Sequence, residues 1–409
     1  MDFETYKKIL TETAFVRTSG TAKELRCANY LADRCRELGL EPHLEAFPVD
    51  MAEMEEAVLL CDGVSIPCTG YLNAGCGEVE APLYYLANDD AYALSQCRGK
   101  IVLSDKGMTH WHYQDMVKAG ALGFITYSGN IHFPDHDLEQ KELRRFVHDG
   151  VKIPGVNIHT AEAIELMRKG VKTAKIVLKQ KEFEGHSHNL IVDLPGEVPE
   201  KIVFSAHYDS TPLSVGTWDN MSGSVGILAL AEHFSQHPHR LSMRFVWCGS
   251  EERGLLGSKA YVAAHKEELD SFLLNINLDM IGSIMGPQVA CCTAEDKLVH
   301  YMEYFASEIG VSLRVSQGVY PSDSTPFADG GVPAVTFARD AQGHTATIHN
   351  RYDTIDILKM EHMQEDIDLI AAFADRMANA KHFPVSKEMP ENMKQKLDEY
   401  LLRKRPEQK

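Results

Sequence analysis

From residue 186 to about 380, short apolar runs alternate with amphipathic stretches, and His, Asp or Glu residues stand at or just after several of the runs. Residues 189–194, 201–206, 241–248, 272–278, 288–293 and 333–338 read as strands. Residues 220–236, 257–266, 296–309 and 355–380 read as helices. Strands and helices in strict alternation imply an α/β sheet with helices on both faces. In such sheets ligands gather at the carboxyl ends of the strands, where the acidic and imidazole groups lie here.

The flanking regions have a different texture. Residues 6–39 read as helical, with Ser19-Gly20-Thr21 as a cap signal before a second stretch and Gly39 as its stop. From about residue 47, short apolar runs at 57–60, 82–86, 100–103, 122–127 and 173–178 are separated by turn residues, which predicts a strand-rich region. Two helices, 116–122 and 161–169, are expected within it. In the last two dozen residues, Met393, Leu397, Tyr400 and Leu401 fall at helical spacing. That pattern fits a short helix that docks or pairs with a second copy, and equally a frayed tail.

Charge narrows the partners. The 409 residues carry 41 Lys and Arg against 59 Asp and Glu, a net of −18. Such a balance disfavours nucleic acid and anionic membrane as partners. The excess is concentrated: residues 186–385 hold 26 acidic against 13 basic side chains. No apolar run is long enough for a membrane-spanning helix, and the N-terminus lacks the basic-then-apolar pattern of a secretory signal. Nine cysteines, with no Cys-x-x-Cys pair, argue against a zinc ribbon and suit free thiols in a reducing compartment. The expectation is a cytoplasmic protein.

Five stretches carry the chemistry: residues 205–209, 218–220, 250–252, 277–280 and 349–353. Singly each has an ordinary explanation. A His on a strand is usually a core or surface residue, an Asp before a helix such as Asp219 is usually an N-cap, and a Glu pair is usually solvated. Asp279 is harder to dismiss, because a carboxylate closing an apolar strand is costly to bury unpaired. Together, two His and several carboxylates at the ends of strands in one sheet converge on one crevice. Mixed imidazole and carboxylate donors suit Zn²⁺, and a shared carboxylate can bridge two ions. His207 and Asp209, two apart on an extended strand, share a face, so Asp209 can fix the His207 tautomer. Glu251 and Glu252, if extended, point apart, so that one can ligate metal while the other serves as a base.

These segments resemble the catalytic domain of the M28 family of di-zinc aminopeptidases. The resemblance is carried by SAHYDS (205–210), WDNMSG (218–223), GSEERGLLGS (249–258), NLDMIG (277–282), PSDSTPFADGGVPAVTF (321–337) and HNRYDTID (349–356). RTSGTAKE (17–24) resembles the family's N-terminal lead-in. GKIVLSDKG (99–107), VKAGALGFITYSG (117–129) and IPGVNIHTAEAIEL (153–166) resemble a protease-associated (PA) domain. The implied architecture is a three-layer α/β/α zinc-peptidase domain with a mixed sheet, formed by residues 1–47 and 186–385. A β-rich PA domain is inserted at 48–185, and a charged tail follows at 386–409. The resemblance implies two Zn²⁺, with Co²⁺ or Mn²⁺ as substitutes. His207 and Asp279 would hold one ion and Glu252 and His349 the other, with Asp219 bridging, across an unusual cis bond to Asn220. Glu251 would be the general base and Asp209 the partner of His207. Candidate substrate contacts are Tyr320, Asp323 and His344. The chain departs from the family at Ser322-Asp323-Ser324, where members often show SDH, and at Gln317 and Pro321, where some secreted members carry a cysteine pair.

The implied activity is removal of N-terminal residues from peptides with a free amino terminus. The metals would acidify a water, and Glu251 would take its proton and pass it to the leaving amine. Alternatives on the same fold are a glutaminyl cyclase with one zinc, a carboxypeptidase or deacylase, and a catalytically inactive receptor or scaffold. A homodimer stays open.

Overall fold

The computed structural model describes residues 1–132, 137–343 and 345–406. The chain divides into two compact units, Met1–Val49 with His186–Lys409, and Asp50–Gly185.

The first unit is built on a large mixed sheet. Its strands run in the order Leu313–Gln317, Gln288–Thr293, Ala334–Arg339, Phe272–Leu278, Val198–His207 and Leu241–Cys248, closed by the last residues of the long strand Thr173–Leu194. The three central neighbours, 334–339, 272–278 and 198–207, are parallel to one another and to 241–248. The register aligns their carboxyl ends: Cys248 lies opposite His207, Asn277 opposite Ser205, and Leu278 opposite Phe337. These strands are buried over most of their length because helices cover both faces. Gly223–Gln236 and Met360–Ala378 bury broad faces on one side of the core, and Leu256–Ala264 packs with Phe272 and Phe327 on the other.

The N-terminal stretch is two helices, Phe3–Glu12 and Ala22–Glu37, with the expected cap signal between them. Thr21 caps the second by accepting the Glu24 N–H, as its Ser-Gly-Thr signal suggests. Leu313–Gln317 escapes sequence reading because only Leu313 and Val315 are apolar in it and it lies at the sheet edge.

The second unit is strand-rich with a few helices, as its texture predicts. Gly77–Leu86, Ile101–Ser104, Gly123–Ser128 and Gly155–His159 pair in parallel. Parallel neighbours need crossover connections, and the helix expected at 116–122 lies earlier, at His110–Lys118. His110–Lys118 and Thr160–Lys169 are two of those crossovers. Within it Ser104 Oγ lies 2.7 Å from His112 Nε2, and His112 Nδ1 2.8 Å from Asp89. The chain of contacts imitates a nucleophilic triad. However, Ser104 is 1% exposed and its hydroxyl also serves the backbone N–H and C=O of Lys106. It staples a turn and presents no nucleophile.

The tail forms a helix, Glu391–Tyr400. Met393 and Leu397 are buried within the chain, Leu397 beside Ala328 and Ala334, so that apolar face is not left to a second copy. Asn392 and Lys396 bond to Gln317, and Arg403 pairs with Asp329. Leu397→Ala is expected to destabilise the protein by about 2–4 kcal/mol, as for other buried leucines; denaturant unfolding checks it, and an unchanged midpoint would show the helix to be undocked. Among the described residues no helix is long and apolar enough to cross a membrane.

Candidate metal centre

Every stretch singled out above reaches one place, because the parallel register brings the strand ends level. His207 closes the 198–207 strand, and Asp279 follows the 272–278 strand. Asp219 lies in the turn before Gly223–Gln236. Glu251 and Glu252 follow the 241–248 strand, and His349 lies beyond the 334–339 strand.

Asp219 is the centre of the arrangement. Its Oδ1 lies 3.2 Å from His207 Nε2 and its Oδ2 3.1 Å from His349 Nε2. Asp279 Oδ1 lies 3.8 Å from His207 Nε2, and Glu252 Oε2 3.1 Å from His349 Nε2. Two groups of donors result: His207, Asp219 and Asp279, and Asp219, Glu252 and His349. A tetrahedral cation about 2.0–2.1 Å from its ligands sets them about 3.3 Å apart, and the spacing here brackets that value.

Local structure explains the pose of each ligand. Asp219 is not an N-cap. Asn220 takes that task, accepting the Gly223 N–H at 2.9 Å, which leaves the Asp219 carboxylate unused. Asn220 also donates to Leu278 O and accepts from Met280 N, bracketing Asp279. The Asp219–Asn220 peptide is cis. Glu251 and Glu252 do not lie in extended backbone, contrary to the sequence reading; they sit in a tight turn, Glu251–Arg253. Asp209 holds that turn by accepting both of their N–H groups, at 2.9 and 3.2 Å. It lies 3.4 Å from His207 Nδ1, too long for a strong hydrogen bond, so orienting the imidazole is its lesser task. Ser250, Met280 and His349 all take left-handed φ, 58°, 61° and 62°. For non-glycine residues that costs about 1–2 kcal/mol each, and such conformations cluster at functional sites.

The electrostatics call for cations. Burial, then the neighbouring carboxylates, push Glu252 up to about 7 and Asp279 up to about 6. Glu251 is held well above the usual carboxylate range by burial, which His207 opposes and Glu252, Asp323 and Asp279 reinforce. Burial opposes protonation of His349, but Asp219 and Glu252 lift it to about 11. So many carboxylates cannot all ionise on these two imidazoles alone. Glu252 Oε1, Asp279 Oδ1 and His207 Nδ1 are buried without a hydrogen-bond partner among the described residues. Buried polar atoms are normally satisfied, and bound cations would relieve the crowded carboxylates. The donor chemistry, the spacing and the orphaned oxygens all fit Zn²⁺.

A further contributor escaped the sequence reading. Asp353 is fully buried and accepts the N–H of Trp218 at 2.7 Å and of Asp219 at 3.1 Å. It ties the His349 loop to the backbone of Trp218 and Asp219. Its only signal was its place in the stretch 349–356, where a lone Asp reads as a turn residue.

The candidate substrate contacts divide. Tyr320 is half-buried, and burial, with Asp279 and Asp219 adding to it, raises its phenol. Asp323 is fully buried with both oxygens unpartnered, and burial lifts it to about 7. Buried in this way, it cannot meet a substrate arriving from solvent. His344 lies outside the described residues. Of the ligands, only His349 is substantially exposed, at 48% of its side chain, so the centre opens on that side.

Residues 189–374 match the model of peptidase family M28. That segment is similar to peptidase family M28. Over 390 residues it is 27% identical to aminopeptidase YwaD of Bacillus subtilis, covering 89% of this chain and 81% of that protein. Among solved structures it resembles BSAP, a zinc aminopeptidase from Bacillus subtilis, with a TM-score of 0.76 and 26% identity, over 94% of this chain and 98% of that one. The aminopeptidase from Aneurinibacillus sp. strain AM-1 shares the fold, with a TM-score of 0.76 at 21% identity, over 94% of this chain and 96% of that one. The M28 match spans every ligand and the Glu251-Glu252 pair.

Proposed function

We propose that this chain is a zinc-dependent aminopeptidase that takes peptides with a free amino terminus. The observation that carries the reading is Asp219, whose two oxygens face two separate His-and-carboxylate sets. The activity named for YwaD and for BSAP supports it.

His207, Asp279 and Asp219 would hold one Zn²⁺, and Glu252, His349 and Asp219 the other. When bound, the metals supply Lewis acidity that makes a water nucleophilic near neutral pH and polarises a carbonyl. Glu251 takes the proton of that water at its carboxylate and delivers it to the leaving amine. Its backbone is fixed for this by Asp209. Tyr320 is the candidate to donate a hydrogen bond to the scissile carbonyl oxygen as charge grows there. The excess of carboxylates offers the substrate's α-ammonium a partner.

Asp50–Gly185 is read as the PA insertion, on the motifs at 99–107, 117–129 and 153–166. Its parallel strands and crossover helices are compatible with that reading.

Aminoacyl p-nitroanilides and their N-acetylated counterparts test the activity. Cleavage of the free substrates at least 100-fold faster than the blocked ones is expected. Loss of activity with a chelator and recovery with zinc is the second expected result. Equal cleavage of blocked substrates would refute an aminopeptidase, and one zinc per chain at saturation would favour a cyclase-like site.

A further inference from the structure

The segment 17–24 lies outside the M28 match and contributes no metal donor, yet two of its charged side chains are almost wholly buried. Arg17 is 0% and Glu24 1% exposed. Neither is paired with an opposite charge through a hydrogen bond among the described residues. Besides bonds near their own segment, among them Arg17 Nη1 to the carbonyls of Thr13 at 3.3 Å and Phe15 at 3.4 Å, both reach the backs of loops that carry the metal ligands.

Arg17 donates Nε to the carbonyl of Tyr208, the residue after His207. Its Nη1 donates to Val215 O and its Nη2 to Gly216 O at 2.6 Å, at the start of the turn that carries Asp219. Its backbone N–H donates to Ser210 Oγ at 3.1 Å, and its carbonyl accepts the Ser210 N–H. Glu24 acts on the third loop. Its Oε1 accepts the Ser250 N–H at 3.1 Å and the Ser250 hydroxyl at 3.2 Å, immediately before Glu251. The same oxygen accepts from Ser187 Oγ at 2.7 Å, and Oε2 accepts the Gly20 N–H at 2.6 Å. Gly249 makes room for this approach: a Cβ there would stand 3.0 Å from Glu24 Oε1 and 2.5 Å from Ser187 Oγ.

A buried guanidinium or carboxylate is costly to desolvate unless its hydrogen bonds are made. Spending both on backbone groups of three separate loops makes the loop positions depend on them. We propose that Arg17 and Glu24 form a positioning clamp for the metal centre: Arg17 sets the loops of His207 and Asp219, and Glu24 sets the Glu251-Glu252 turn. This rests on the metal-centre reading above. Neither residue touches metal or substrate; both act through Tyr208, Gly216 and Ser250.

The test compares Arg17→Lys, Glu24→Gln and Ser187→Ala in the full chain. Lysine keeps the charge but cannot make the forked set of bonds, and glutamine keeps the shape but loses one acceptor. Ser187→Ala removes a bond to Glu24 while leaving those to Ser250. Three quantities are read: zinc per chain across a graded series of chelator concentrations, kcat and KM on a free aminoacyl substrate, and Tm. The first two variants are expected to lose zinc at chelator concentrations at least tenfold lower than the parent. Their kcat should fall at least tenfold, with KM within threefold. Ser187→Ala should follow the parent within threefold. Folded Arg17→Lys and Glu24→Gln proteins with parental chelator curves and kcat would overturn the clamp. So would a failure of both to fold, which would assign them to overall stability. A parent protein that binds no zinc would instead remove the reading on which the clamp rests.

Discussion

Glu251→Gln is expected to bind the parent's full complement of zinc and to turn over a free aminoacyl substrate about 10²–10⁴-fold more slowly, the range of general acid–base catalysis. The separation between metal binding and turnover follows from the geometry. Glu251 belongs to neither donor set, and its Oε2 lies 3.9 Å from His207 Nε2, on the side of the centre opposite the Glu252–His349 contact. Glutamine preserves the shape and one acceptor but cannot take a proton. Burial and the surrounding carboxylates hold Glu251 well above the usual carboxylate range. Bound cations act in the opposite direction and bring it toward the working pH of a base. Metal analysis beside kcat and KM decides the case. Zinc loss would make Glu251 a ligand, and a kcat within threefold of the parent would take the base role away from it.

Asp219→Ala has the larger structural consequence. Each donor set keeps only two of its three members, because the two sets share this residue. The expected result is less than one zinc per chain, at a free zinc concentration that saturates the parent at two, and activity below detection. Stability supplies a second readout. A ligand that binds only the folded state stabilises it by about 2.7 kcal/mol at one hundred times its Kd. Zinc should therefore raise the parent's Tm and leave that of Asp219→Ala nearly unchanged. A variant that still binds two zinc ions would show that the carboxylate does not bridge.

Much of this centre was legible in the sequence because its ligands sit where strand periodicity ends. Apolar runs such as 241–248 and 272–278 are buried on both faces, so their lengths match the strands residue for residue. The first polar group beyond each run is then the first group free to face a crevice. His207 and Asp279 follow that rule, while Asp219, Glu252 and His349 lie further along the loops beyond the strands, and the M28 resemblance sorted all five into sets. The strand Thr173–Leu194 was legible only at its two ends, since the intervening residues from Lys179 to His186 are largely polar and read as a break. Packing of the 391–400 helix, whose few apolar residues are equally those of a free tail, was open in sequence and is settled by the burial of Met393 and Leu397.

The sequence by itself determined the residue types of the site and its address at the carboxyl ends of parallel strands. Hydrophobic periodicity encodes strand and helix locally, and the acidic excess of residues 186–385 marks where positive charge is wanted. Only the tertiary structure decided how those residues are held. Asp209 grips the Glu251-Glu252 turn from 42 positions away, and Asp353 holds the Asp219 backbone from 134 away. Arg17 and Glu24 reach loops about two hundred residues later. A hydrogen bond between such distant partners leaves no periodic trace in the chain. It comes into being only when the sheet has brought their backbones together and excluded the water that would otherwise satisfy them.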